Sequence, residues 1–368
     1  AEEIAPAPHE ANPKKGKGKK LALHARTHWR TVHRHLCEDV YRIEDPAEFF
    51  FVMSQCVAIL KRFRRAGFLH RDISPGNFLV HCCFKDRRLP PPDGDLSKKF
   101  IVKVADLEYA KGYETVSRHD PLTGTSYYLA VEVQRRKHLF TDKYDYEATS
   151  LGSFFFAYNF YHDVESVLWM AIDYVVRRVP SAPIQSATAV SDQPSGQPAD
   201  DPERQLHKLA ASISKYAAKI FTSNVFGTEE RQSLITDAAS HKRFAQLLKS
   251  THGNESIITQ RFPGLMRHLL EMYLLAEKEK VPDGHDELPT LRFDPQAFSD
   301  RLYDTLYKAF DEISRHFQQH PQSFLLTKDL LAPKKKKASS KRTRDRDIEH
   351  HSDDAPPAQK RSRQTSKR

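Results

Sequence analysis

Apolar residues recur at helical spacing over PAEFFFVMSQCVAILKRFRRAG, residues 46–67, where Phe49, Val52, Met53, Cys56, Ile59, Leu60 and Phe63 share one face. Pro46 suits a first helical turn and Gly67 a stop, so the pattern predicts a helix between them. Two short strand-like runs follow, FLV at 78–80 and FIVKV at 100–104. The polar, Pro-rich stretch between them, KDRRLPPPDGDLSKK, predicts an exposed loop. FYHDVESVLWMAIDYVVRR, residues 160–178, is apolar almost all round and predicts a buried central helix. From Pro180 to about residue 204 the periodicity disappears, as in a linker or long insertion. RQLHKLAASISKYAAKIF and PQAFSDRLYDTLYKAFDEISRHF then read as amphipathic helices, and no internal repeat is visible. The fold class expected is α+β, mostly helical, with a small β ribbon near the front.

Charge divides the chain into three parts. The whole carries a formal net charge of +10 over 368 residues. Residues 333–368 hold 13 Lys or Arg against 5 Asp or Glu, and residues 1–20 hold 5 Lys against 3 Glu. Removing those +8 and +2 leaves residues 21–332 near neutrality, so a basic face covering the globule is excluded and weak binding of nucleic acid is expected of the tails alone. Both tails read as disordered, flanking one domain at 21–332 with its insertion at about 180–204. Cys37, Cys56, Cys82 and Cys83 form no C-x-x-C pair and read as reduced thiols of a cytosolic or nuclear protein. There is no secretory signal and no run of 18 apolar residues, so no membrane partner is expected.

The chemistry sits in FLHRDISPGNFLV, residues 68–80. His70, Arg71 and Asp72 stand in a row, with Asn77 five positions after the Asp. Three further motifs follow in order: Asp106-Leu107-Glu108 directly after the second strand, GTSYYLAVE at 124–132, and His162-Asp163 opening the central helix. Phosphoryl transfer explains why these residue types belong together. An Asp must accept or orient the attacking hydroxyl, a role for Asp72. An Asn and a second Asp must hold magnesium through oxygen, a role for Asn77 and Asp106.

HRDISPGN, VADLEYA, TGTSYYLAVE and HDVESVLW together resemble the catalytic loop, metal-binding segment, substrate-proximal loop and central helix of the fungal-type protein kinase family. The resemblance is close over residues 25–180 and looser beyond. It implies a protein-kinase-like fold, represented mainly by the helical C-terminal lobe. It implies an ATP- and Mg²⁺-dependent enzyme that phosphorylates Ser or Thr of a protein. By the same resemblance Arg71 meets a phosphate or acidic group on the activation segment, whose candidate phosphosites are Thr115, Ser117 and Thr123. Thr125 sits beside Asp72 and helps place the substrate, and Asp163 caps the backbone of the catalytic loop together with His70. Glu132 forms a structural ion pair with an Arg.

Departures from the family pattern keep other readings open. Ser74 stands where Ser/Thr kinases carry Lys, so one phosphate contact is missing or supplied elsewhere. Glu108 replaces the Gly of D-F-G, as in small-molecule kinases of the choline-kinase type, and adds a carboxylate as a possible metal ligand. Val131 replaces the Pro of A-P-E. A kinase small lobe of five strands and a helix needs roughly 65 residues. Only 25 lie between Lys20 and Pro46, with no G-x-G-x-x-G and no V-A-I-K, and THWRTVHRHLCEDVYRI looks like a connection between lobes. The chain also opens on Ala1 rather than Met, as a fragment or processed chain would. The expectation is a large lobe with little or no activity by itself, or a pseudokinase acting as a nuclear scaffold or binding module. The basic segment at 334–342 resembles a signal read by a nuclear import receptor, which favours a nuclear over a cytoplasmic location.

Overall fold

A computed structural model describes residues 34–115, 122–140, 156–181, 201–222, 229–278, 280–282 and 291–332. Helix α1 spans Pro46–Arg65; Asp45 caps it by accepting the Glu48 N–H at 2.9 Å, with Pro46 at its first position. Gly67, at φ 75°, carries the chain out of the helix in the left-handed region. Helix α2 (Leu96–Lys99) and helix α3 (Val131–Arg135) are single turns, and the long helix α4 covers Phe160–Val176. Beyond it come α5 (Pro202–Ile220), α6 (Glu229–Thr236), α7 (Ala238–His252), α8 (Ile257–Ala276), α9 (Arg301–Gln319) and α10 (Thr327–Leu330).

All seventeen residues of α4 are buried, as an all-round apolar pattern requires. The helix ends at Val176, and Arg178–Pro180 forms a strand instead of continuing it. Pro180 in a helix interior would lose a backbone hydrogen bond and crowd the preceding turn, whereas an edge strand tolerates it. Pro202 and Glu203, at the end of the expected linker, instead open α5 behind the Asp201 cap. Residues 182–200 of that linker lie outside the described residues.

Helix α1 packs antiparallel against α9. The Ser314 hydroxyl donates to the Ala47 carbonyl at one end, and Lys61, Arg64 and Arg65 meet Asp300 at the other. The cations sit on the C-terminal turn of α1 and the carboxylate at the N-terminus of α9, so both helix dipoles are complemented.

The strands are short and antiparallel. β1 (Glu38–Asp39), β3 (Phe78–Cys82) and β4 (Phe100–Val104) form a three-stranded sheet with β3 in the centre. β2 (Phe68–Leu69) pairs with β5 (Lys111–Gly112). Strand β6 (Arg178–Pro180) pairs with β9 (Phe324–Leu326), and β7 (Lys280–Pro282) with β8 (Leu291–Phe293). The architecture is α+β with helix dominant.

The stretch between β3 and β4 is not wholly an exposed loop. Its end folds into α2, where Leu96 and Lys99 are buried. Lys99 Nζ meets Glu48 Oε1 at 2.5 Å, tying the end of the excursion to the first turn of α1. Among the described residues no helix is long and apolar enough to cross a membrane. The expected disordered tails at 1–20 and 333–368, including the import segment at 334–342, lie outside the described residues.

Candidate active site

Two loops are forced together by the strands that bound them. Residues 70–77 run from β2 to β3, and residues 105–110 run from β4 to β5. Because β3 pairs with β4, with Phe78 opposite Val104, and β2 pairs with β5, with Leu69 opposite Lys111, the loops begin and end side by side. The Ala105 N–H donates to the Asn77 carbonyl at 2.9 Å, extending the β3–β4 ladder to the residue before Asp106. Asn77 and Asp106, 29 positions apart in sequence, thus emerge at the same end of one ribbon.

Inside this frame the first loop is tightly specified. Asp163, on the first turn of α4, accepts the backbone N–H groups of His70 at 2.7 Å and Arg71 at 3.0 Å, one on each carboxylate oxygen. Burial pushes the Asp163 carboxyl above its ordinary value, against the stabilising effect of His70 and of those backbone donors. The Asp72 N–H lies 3.3 Å from His70 Nδ1, which leaves Nε2 to donate to the Ala105 carbonyl at 3.0 Å. His70 therefore links the two loops. Arg71 adopts φ 72°, a left-handed conformation that turns the chain sharply just before Asp72. Its guanidinium is buried 4.5 Å above the Tyr158 ring.

Asp72 and Asn77 face each other across the loop. Asn77 Nδ2 donates to the Asp72 carbonyl at 2.8 Å. With its donor end committed, the amide oxygen is the end that can ligate a cation. Asp106 lies in the left-handed region at φ 58°, heads a short 3-10 turn, and makes no side-chain cap bond to it. An exposed carboxylate and an amide oxygen at one ribbon end form an oxygen donor set suited to a hard cation such as Mg²⁺. Glu108 is also exposed; its hydrogen bond to Tyr109 raises that phenol above its ordinary value, with Asp106 and Asp72 adding to the effect. Ser74 is buried and holds no place from which a side chain reaches outward.

The segment 123–134 closes over the loop. Thr123 Oγ1 donates to the Arg71 carbonyl at 3.2 Å, and the Thr125 N–H and hydroxyl approach Asp72 Oδ1 at 3.1 and 3.4 Å. Gly124 between them, at φ 114°, leaves no room for a side chain: a Cβ there would stand 2.2 Å from Leu129 Cδ2 and 3.2 Å from the Arg71 carbonyl oxygen. Thr123 is buried, which removes it as an accessible phosphosite in this conformation. Thr115 is exposed, and Ser117 lies outside the described residues.

One expectation is corrected here. The partner of Glu132 is not an Arg. Its carboxylate takes the His162 Nε2–H at 3.0 Å and the Leu139 N–H, with His138 beside it. Burial pushes this carboxyl up, but His138 and His162 outweigh it and hold Glu132 well below the usual range. The buried Arg of this region, Arg231 on α6, instead donates to the carbonyls of Ser126, Tyr127 and Leu129, its guanidinium 5.3 Å from the Trp169 ring centroid. At the start of α4, His162 completes a capping box with Asn159. Asn159 is the cap, accepting the Tyr161 N–H, while its own N–H donates to His162 Nδ1 at 3.0 Å. Sequence reasoning missed Arg231 and His138, and a lone Arg or His in a polar stretch carries no local signal of burial.

Residues 3–175 match the fungal protein kinase family. Over these residues the chain is similar to that family. The matched stretch contains all four motifs and implies a kinase-like fold, with which the helix-dominant α+β architecture is compatible. Comparisons with curated proteins and with solved structures found no match.

Proposed function

We propose that the chain carries the phosphoryl-transfer machinery of an ATP- and Mg²⁺-dependent protein kinase acting on Ser or Thr, built on the helical large lobe of a kinase-like fold. The observation that carries the reading is the convergence on Asp72: Thr125 on its carboxylate, Asn77 on its carbonyl, and Asp106 at the same ribbon end through the Ala105–Asn77 bond. Asp72 orients the substrate hydroxyl and receives its proton. Thr125 bonds the Asp72 carboxylate and, on this reading, helps place the substrate. Asn77 Oδ1 and the Asp106 carboxylate would hold the metal ion, which would supply neutralisation of phosphate charge. Asp163 and His70 keep the loop in shape.

Glu108 favours one second reading, a small-molecule kinase, because a third exposed carboxylate adjoins the proposed metal ligands. The deciding experiment incubates the full chain with Mg-ATP and, in parallel, a Ser/Thr peptide library, Tyr peptides and amino-alcohols such as choline. Ser/Thr phosphorylation lost about 10²–10⁴-fold in Asp72→Asn is expected. Turnover of the amino-alcohol alone selects the second reading. No turnover of any substrate, with no ATP bound, sets the kinase reading of this chain aside and leaves a large lobe inactive by itself or a binding module of the pseudokinase kind.

A further inference from the structure

A second cluster of ligating side chains lies apart from the Asp72 loop. Glu132 on α3, His138 in the turn after it, and Glu277 at the C-terminal end of α8 bring one donor atom each within 4.8 Å of one another. His138 Nδ1 is 3.7 Å from Glu132 Oε2 and 3.9 Å from Glu277 Oε1. All three residues are buried, at 0%, 4% and 1% exposure for Glu132, His138 and Glu277. Both ring nitrogens of His138 and both carboxylate oxygens of Glu277 lack hydrogen-bond partners. His138 Nδ1 and the Glu277 carboxylate face Glu132 at one buried point, and unpartnered polar atoms there are costly unless something joins them.

We propose that Glu132, His138 and Glu277 bind a divalent transition cation of the zinc class, as a structural staple. Zinc takes imidazole nitrogen and carboxylate oxygen at about 2.0–2.2 Å, which sets tetrahedral donors about 3.3 Å apart. The observed 3.7 and 3.9 Å from His138 to the two carboxylates need a closure of about half an ångström, and the three donor atoms all lie within 4.8 Å of one another. Two carboxylates and a neutral imidazole sum to −2, which a divalent ion cancels. Magnesium is disfavoured because it keeps several waters in an octahedral oxygen shell. The surroundings orient the ligands as a metal site does: His162 Nε2–H and the Leu139 N–H fix the Glu132 carboxylate. The His138 ring lies against Phe156 and Phe293, at 5.1 and 4.9 Å. The staple ties the segment that begins at Thr125 and ends at His138 to the far end of α8.

The test uses the full chain, stripped with a chelator and titrated with Co²⁺ followed by Zn²⁺. The chain has 19 His, so signals are read as the difference between wild type and Glu277→Gln, an isosteric change that leaves every other His in place. The expected result is one Co²⁺ per chain with the visible absorption of a four- or five-coordinate ion, displaced by Zn²⁺. Glu277→Gln should lower Co²⁺ affinity at least tenfold and abolish the rise in Tm that Zn²⁺ gives wild type. Identical titrations of wild type and variant, or no visible absorption from wild type, overturn the proposal and leave a cluster held by protons alone. Should Glu277→Gln fail to fold, His138→Gln is read against the same two outcomes.

Discussion

Thr125 approaches a single oxygen of Asp72 with two donors, its backbone N–H at 3.1 Å and its hydroxyl at 3.4 Å. The N–H bond is the stronger of the two by geometry, and the hydroxyl distance is near the limit of a useful bond. Thr125→Val keeps the first and removes the second. We expect a fall in kcat of about threefold to tenfold, against about 10²–10⁴-fold for Asp72→Asn, in steady-state assays on one Ser/Thr peptide. Equal losses in the two variants would mean that the hydroxyl touches the substrate directly.

Asp163 holds the catalytic loop by two backbone bonds, one of them to the left-handed Arg71. Asp163→Ala leaves two buried N–H groups without acceptors, each worth about 1–3 kcal/mol. Urea unfolding should show a loss of about 3 kcal/mol or more. A loss below about 1 kcal/mol would mean that water or a neighbouring group replaces the carboxylate.

Arg231, 2% exposed, satisfies three carbonyls of the turn that follows Thr125. Burial lowers its guanidinium to about 10, with Glu165 opposing, so it remains charged at neutral pH. Arg231→Met fills the space but donates nothing. The expected cost is about 3 kcal/mol. Amide exchange at Tyr128 and Leu129, whose N–H groups both bond the Thr125 carbonyl, should speed up as the turn loosens. Unchanged exchange at those two amides would separate Arg231 from the placement of Thr125.

His252, at the end of α7, is buried with Phe324 against its ring, and burial lowers its imidazole from 6.5 to about 4. Above about pH 6.5 the ring is neutral whether the chain is folded or not. Between about 6.5 and 4 the unfolded chain takes up a proton that the folded chain refuses, so stability falls as acid is added. The displacement is worth about 3 kcal/mol across that window. His252→Gln should flatten the acid limb of unfolding free energy by about that amount between pH 7 and 4. Parallel limbs in wild type and variant would place the acid sensitivity on other groups.

Much of the candidate site could be read from the chain because its chemistry is local. His70, Arg71, Asp72 and Asn77 fall within eight consecutive residues, and Asp106 follows a strand whose apolar run is visible. Helix α1 was legible from its period and from its Pro and Gly ends, and α4 from its apolar girth. Lys99 was misplaced because a Lys in a Pro-rich polar stretch has no local mark of burial; its burial depends on Glu48, 51 residues away.

The order and residue types of the motifs were determined by the sequence alone, since loop chemistry and helical period are properties of neighbours along the chain. Tertiary structure decided which distant groups meet. The β3–β4 and β2–β5 pairings bring Asp106 to Asn77. Packing of α8 and α6 brings Glu277 to Glu132 and Arg231 to the carbonyls after Thr125. The reason is energetic. A buried charge or orphaned carbonyl must find a partner somewhere, but it can take that partner from any segment that packs against it. The need is written in the residue, and the choice of partner is made by the fold.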